Sequence, residues 1–188
     1  MTTTSTTKAK LTFEEYLTYN DGTDNRYELE DGELILMNPP TGLHSLIIYF
    51  ISNTFVTEIN RVNLPWVCLQ TVGVRTAMKR SRIPDLCVTT RDQILEKLDV
   101  SAILESSALL AVEIVSPESR TRDYRFKRSE YASIGIPEYW IVDPVEQKVT
   151  VLLLVEGLYE ETEYRGDAQI VSQTFPELVL TVEQMLQV

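Results

Sequence analysis

The sequence predicts a mixed α/β (α+β) fold, a β-sheet flanked by helices with an extra hairpin towards each end. Three observations carry that reading. Residues 108–115 form a nearly all-apolar run, as expected of a central strand buried on both faces. Strand-like and helix-like patterns mix along the chain instead of segregating. Turn signals at Asp31-Gly32 and Asp143-Pro144 join neighbouring strand patterns.

The elements follow in order. Thr12 caps a short helix, with Glu15 three residues on completing a capping box. Residues 26–38 read as a hairpin around Asp31-Gly32, with alternation in Tyr27-Glu28-Leu29. Pro39-Pro40-Thr41-Gly42 breaks the chain before a long helix over about residues 43–60. There Leu46, Ile47, Phe50, Ile51, Phe55 and Ile59 recur near helical spacing. Residues 66–76 predict one strand, residues 78–81 its exposed turn, and residues 83–89 the next strand. Residues 92–98 form a short helix or loop. Pro117 stops the apolar strand. A helix over about residues 122–134 then ends at Gly135, a C-cap position. Strands are predicted over residues 138–142, 148–155, 159–164 and 169–172, and a closing helix over 181–186.

Length and composition fit one domain. The chain has 188 residues, 44% of them hydrophobic, with no repeat and no linker. Residues 1–10, rich in threonine, are expected to be a disordered lead-in to a single domain over 11–188. No apolar run approaches the roughly 18 residues of a membrane span, and no hydrophobic signal core opens the chain. Cys68 and Cys87 lack zinc-ligand spacing and read as buried thiols. A cytoplasmic protein is expected.

The net charge is −11, which argues against a non-specific nucleic-acid coat. The basic residues are unevenly spread. Arg75, Lys79, Arg80 and Arg82 precede Asp85, and Arg120, Arg122, Arg125, Lys127 and Arg128 follow Glu113. These nine of the 17 basic residues describe either a positive groove on an acidic body or two solvated faces.

Asp85 and Glu113 carry the chemistry. Each interrupts an apolar strand pattern, Ile83-Pro84-Asp85-Leu86-Cys87-Val88 and Leu109-Leu110-Ala111-Val112-Glu113-Ile114-Val115. Charge inside a buried strand is costly unless paired or bound to metal. Two carboxylates on neighbouring strands point to a hard cation such as magnesium, which prefers oxygen ligands. The plain alternatives are ion pairs, Asp85 with Arg82 and Glu113 with Lys127. Asp123, Lys127 and Tyr131 are spaced i, i+4, i+8 and share a helix face. Asp123 and Lys127 then form either an ordinary helix pair or part of the site. Glu28 either adds a third carboxylate or points to solvent. His44, the only histidine, either contacts a phosphate or a metal-bound water or is structural. Gln70 shares a strand face with Cys68 and Val72.

The ordered residues resemble a known family. Pro84-Asp85, Glu113-x-Val115, the run Ser116 to Asp123, Lys127-x-x-x-Tyr131-Ala132 and Gly135 to Pro144 are similar to the Uma-two family. Tyr27-Glu28-Leu29-x-x-Gly32-Glu33 and His44 extend the likeness over nearly the whole chain. The family is assigned to the PD-(D/E)XK nuclease superfamily. The resemblance implies a restriction-endonuclease-like fold and a metal-dependent endonuclease that hydrolyses DNA phosphodiesters. It implies Asp85, Glu113 and Lys127 as catalytic residues, with Glu28, His44, Asp123 and Tyr131 in support. Mg²⁺ or Mn²⁺ is expected on Asp85, Glu113 and the Ile114 backbone carbonyl. Lys79, Arg80, Arg82, Arg120, Arg122 and Arg125 are expected to bind duplex DNA. A homodimer is expected through the apolar strand Val149 to Val155. The sequence departs from the superfamily pattern at Val115, where a lysine is usual, and Lys127 on the helix is expected to replace it. The alternative is an inactive nuclease-fold module that binds DNA or protein.

Overall fold

The computed structural model describes residues 10–187. The expected lead-in over residues 1–10 therefore lies, Lys10 apart, outside the described residues. Helix Phe13–Leu17 (α1) leads to a hairpin, Tyr27–Glu30 (β1) and Glu33–Leu36 (β2), and then to helix Gly42–Arg61 (α2). Next come strands Trp66–Leu69 (β3), Gly73–Ala77 (β4), Arg80–Arg82 (β5) and Leu86–Thr90 (β6). Helix Arg91–Leu95 (α3), strand Ile103–Leu104 (β7) and strand Leu110–Ile114 (β8) follow. A π-helical stretch, Arg122–Lys127, runs into helix Arg128–Ser133 (α4). Strands Glu138–Asp143 (β9), Lys148–Val155 (β10) and Leu158–Arg165 (β11) precede the last helix, Val182–Leu186 (α5).

The fold is mixed α+β, but it holds two sheets where the sequence predicted one. The larger runs β11-β10-β9-β8-β6-β3 and the smaller β2-β1-β5-β4-β7. β8 and β9 are parallel, and the other pairs of the larger sheet are antiparallel. The cause is a break in the strand expected over residues 66–76. Thr71 adopts φ 64°, a left-handed conformation that turns the chain from one sheet to the other. Gly73 then lets β7 approach closely, since an added Cβ would meet Ile103 Cγ1 at 2.9 Å. Residues 80–82, the first two of which were expected within a turn, pair with β1 and β4. The N-terminal hairpin thus belongs to the smaller sheet. Its turn has Asp31 at φ 50° and Gly32 at φ 85°, the positive pair that a tight hairpin turn requires.

Both faces of the larger sheet are covered. On one, α2 lays Ile47, Ile51, Phe55 and Ile59 against Leu86, Val88, Leu110, Val112, Trp140 and Val142. Phe55 meets Trp140 edge-on, with centroids 5.3 Å apart. Burying each such side chain contributes roughly 1.5–3 kcal/mol. On the other face, Cys87, Ala111, Tyr139 and Ile141 pack with Val74, Leu104 and Tyr131. β8 is therefore buried on both sides, as its composition predicts. Cys68 and Cys87 are free, buried thiols in opposite layers.

Two further expectations are corrected. The strand over residues 169–172 reduces to one bridge, Gln169 to Thr181, because Phe175, Leu178 and Leu180 turn inward to fill the core. The strand expected to offer a dimer edge, Val149 to Val155, lies inside the sheet between β9 and β11. The outer strand is β11, and Glu160, Glu161 and Glu163 along it guard an exposed edge by charge. Among the described residues, no helix is long and apolar enough to cross a membrane.

Candidate active site

The register of β6 and β8 sets the site. Leu86 pairs with Val112, so Asp85, one residue before β6, lies beside Glu113 near the end of β8. Asp85 Oδ2 accepts the Ile114 N–H at 2.7 Å. Its Oδ1 lies 3.1 Å from His44 Nε2. His44 sits in the first turn of α2, where Thr41 Oγ1 caps its backbone N–H. The carboxylate of Asp85 is thus anchored to a central strand and to the start of the long helix.

Glu113 is 3% exposed. Tyr131 donates its hydroxyl to Glu113 Oε1 at 2.6 Å, and Lys127 Nζ lies 2.7 Å from Oε2. Lys127 is 4% exposed, with Glu28 Oε1 and Asp123 Oδ1 each at 3.5 Å. Ser119 donates to the other oxygen of Asp123. Glu28 arrives from the smaller sheet, accepting the Ile83 N–H at 3.0 Å and Arg82 Nη1 at 3.1 Å. The site lies where the two sheets meet.

The helix that delivers Lys127 was expected to be α-helical. Eight residues of α-helix overshoot two turns by about 80°, which would carry Tyr131 away from Asp123. The π-helical stretch over Arg122–Lys127 has wider turns and takes back that overshoot. Asp123, Lys127 and Tyr131 all end up buried on the side of Glu113.

The electrostatics follow from burial and crowding. Burial pushes the Glu113 carboxyl well above its ordinary range. Lys127 opposes the shift, and Asp85, Asp123 and Glu28 add to it. Burial raises Asp123 too, against Lys127 and the Ser119 hydroxyl. Burial would also raise Glu28, but Lys127, Arg82 and the Ile83 N–H outweigh it and hold that carboxyl below its ordinary range. Burial disfavours the Lys127 ammonium, yet the surrounding carboxylates keep its pKa above the ordinary value. Burial and the nearby Glu113 raise Tyr131, so its hydroxyl stays a donor.

Four carboxylates, Glu28, Asp85, Glu113 and Asp123, therefore surround one ammonium. Glu28, Glu113 and Asp123 face that ammonium, which leaves Asp85 and Glu113 as the oxygen donors chemically suited to a hard divalent cation. A carboxylate has about four lone-pair sites, and Asp85 and Glu113 each use only part of theirs. Among the described residues, no three His, Cys, Asp or Glu side chains are grouped so as to hold a metal ion. The expected set has only two carboxylates, with a backbone carbonyl as the third donor.

A family model, Uma2, described as "Putative restriction endonuclease", matches residues 13–183. The chain belongs to the Uma2 family. The resemblance read from the sequence thus holds over nearly its whole length. Among solved structures, this Uma2 chain is similar to one described as a putative nuclease belonging to DUF820 from Anabaena variabilis ATCC 29413. The identity is 20% and the TM-score 0.78, over 94% of this chain and 98% of that one. At that identity the likeness is one of fold. No curated protein matches the chain.

The basic residues expected at DNA divide sharply in this Uma2 member. Arg82 is withdrawn from that set. It is 0% exposed, and its guanidinium is used up by Glu28, Glu30 and Glu130. Arg80 is held by Asp31 and Glu130, and Arg120 by Asp143 and Glu146. Their charge is largely neutralised at home. Lys79 and Arg125 are exposed, and Arg122 is half-buried, all three without a carboxylate partner among the described residues. Gln70 is exposed one residue beyond β3, at the same end of the sheet as Asp85.

Sequence reasoning missed Glu130. It is buried and accepts from Arg82 Nε at 2.8 Å, from Arg82 Nη2 at 2.7 Å and from Thr76 Oγ1 at 2.9 Å. Through Arg82 it braces Glu28. Its one sequence signal was an acid beside Tyr131 on a helix already assigned to the site.

Proposed function

We propose that this chain is a divalent-metal-dependent endonuclease hydrolysing phosphodiester bonds of duplex DNA. It acts from a single domain over residues 11–188, as a cytoplasmic homodimer suited to the two strands of a duplex. One observation carries the reading: Glu113, buried at the end of a central strand beside Asp85, lies 2.7 Å from the Lys127 ammonium. Membership of a family described as "Putative restriction endonuclease" supports it.

Asp85, Glu113 and the Ile114 carbonyl would hold Mg²⁺ or Mn²⁺. When bound, the ion supplies an acidified water and neutralises charge at the phosphate. Lys127 takes the part of the strand lysine replaced by Val115, which is itself buried against the other core layer. Its ammonium stabilises the charge that builds on the phosphate in the transition state. Glu28 and Asp123 hold that ammonium in place. Tyr131 fixes the Glu113 carboxylate by donating to it, and His44 Nε2 lies beside Asp85 Oδ1. Lys79, Arg122 and Arg125 meet the DNA backbone.

Cleavage of supercoiled plasmid tests the reading, with Mg²⁺ or Mn²⁺ and with chelator. Cleavage is expected only with metal, and Asp85→Ala and Glu113→Ala should abolish it while remaining folded. Undiminished cleavage by Glu113→Ala, purified free of contaminating nucleases, refutes the assignment. Light scattering with and without DNA tests the dimer. The valine at position 115 favours a second reading, an inactive nuclease-fold module that binds DNA or protein and does not cut. Tight DNA binding without cleavage under either metal would select it.

A further inference from the structure

The outer face of α2 is uncharged. Residues 42–57 hold no Asp, Glu, Lys or Arg, in a chain that is 24% charged. One side of the helix supplies Ile47, Ile51, Phe55 and Ile59 to the core. The opposite side is apolar as well: Leu46, Tyr49 and Val56 are 50%, 67% and 40% exposed. With the exposed Asn53 they recur at alternating intervals of three and four residues, the spacing by which one helix packs along another. A helix apolar on both sides belongs between two partners, and the sheet supplies one of them. The face has no basic residue and so does not suit DNA. It suits a second copy of this chain. A net charge of −11 makes two copies repel, and a face free of acids lets them approach. The glutamate-lined edge of β11 offers no such approach.

We infer that the outer face of α2 docks on the same face of a second copy, the two helices antiparallel about a two-fold axis. This rests on the homodimer of the reading above and gives it a surface, in place of the strand Val149 to Val155 that the sheet encloses. A two-fold contact uses one patch on both copies, so the patch must complement itself. This one does. With the axis midway between Tyr49 and Asn53, Leu46 meets Val56 of the second copy, and Tyr49 meets Asn53 of the second copy. The first pair is apolar. The second joins a hydroxyl to an amide, groups that can each donate and accept. A single Asn in such a seam fixes the register. Antiparallel helices also set each dipole against the opposite end of its neighbour. His44, beside Asp85, lies at the start of α2. The pairing therefore puts one active site at each end of the helix pair, with the two histidines about 21 Å apart along the axes at 1.5 Å per residue.

The test is the mass of the full chain by analytical ultracentrifugation over a concentration series, with and without a DNA duplex. The wild type should be a dimer. Leu46→Glu enters the contact twice and should weaken it by about a hundred-fold or more, the effect of burying charge in an apolar contact. Leu46 is exposed in the single chain, so the variant should keep the wild-type circular dichroism spectrum. Should it fail to fold, cross-linking decides. Asn53→Cys treated with a short bismaleimide should give a covalent dimer. Leu158→Cys, exposed on β11, should give none, and the native Cys68 and Cys87 are buried. A dimer that Leu46→Glu leaves intact, or that Asn53→Cys fails to cross-link, overturns the inference and leaves the homodimer standing. A wild type that is monomeric at every concentration overturns both, while plasmid cleavage still decides the nuclease reading. A monomer that binds phosphatidylcholine vesicles through Leu46 makes a lipid surface the occupant, and the inference fails.

Discussion

Replacing Lys127 by methionine removes the one cation, among the described residues, within ion-pair distance of Glu113, Glu28 and Asp123 together. At an effective dielectric of about 20, the attraction is about 6 kcal/mol at the 2.7 Å contact and about 5 kcal/mol at each 3.5 Å contact. Desolvating the ions takes back several kcal/mol for each. Loss of one partner of a buried pair costs about 3–5 kcal/mol. For a chain of this size that lowers Tm by about 6–20 °C. The loss should depend on pH. Glu113 binds its proton more tightly in the folded chain than at its ordinary 4.5. Its contribution is therefore complete below that value and is lost as pH rises through the raised folded value. Without the ammonium the folded value rises further, so the gap between variant and wild type should widen with pH. Cleavage by Lys127→Met should fall by about two to four orders of magnitude, mainly in kcat. Thermal unfolding by circular dichroism over a pH series, beside single-turnover cleavage, measures both effects. A variant that melts with the wild type at neutral pH and cleaves normally would refute the reasoning.

The remaining predictions test other parts of the structure. Arg82→Met should cost about 3–5 kcal/mol in urea unfolding, by stranding Glu28 and Glu130; an unchanged midpoint would contradict its buried role. Gly32→Ala should cost about 1–3 kcal/mol, since Gly32 has φ +85° and a Cβ there would meet the Leu11 carbonyl oxygen at 2.9 Å. A wild-type Tm would count against that turn. Burial pushes the Cys68 and Cys87 thiols up to about 12, so thiol reagents at mildly alkaline pH should label only unfolded protein. Stability tied to these thiols is complete below their ordinary 9.0 and is lost as pH rises towards about 12, which alkaline melting curves should show. Calorimetric titration should give a Mg²⁺ binding heat in the wild type that Asp85→Ala lacks; equal heats would remove Asp85 from the metal site.

The amino-acid sequence by itself determined the local elements and the residues of interest. Thr12 and Glu15 form their capping box, Asp31-Gly32 makes its turn, and the apolar run around Glu113 lies buried on both faces. These features depend on neighbours within a few positions, where propensity and periodicity act. Glu113 and Lys127 drew notice for the same reason, as charges in apolar or patterned surroundings. Only the tertiary structure decided which charges cancel. Arg82 looked like a DNA contact in a basic run, yet it pairs with Glu130 and Glu28, 48 and 54 residues away in sequence. Thr71 divided one expected strand between two sheets, and the strand Val149 to Val155 gained a neighbour on each side. The π-helical stretch that carries Lys127 to Glu113 was equally hidden, because it is set by the packing of Asp123, Lys127 and Tyr131 against the sheet. An ion pair or a sheet edge is a property of segments distant in the chain, and a sequence pattern records the charge without its partner.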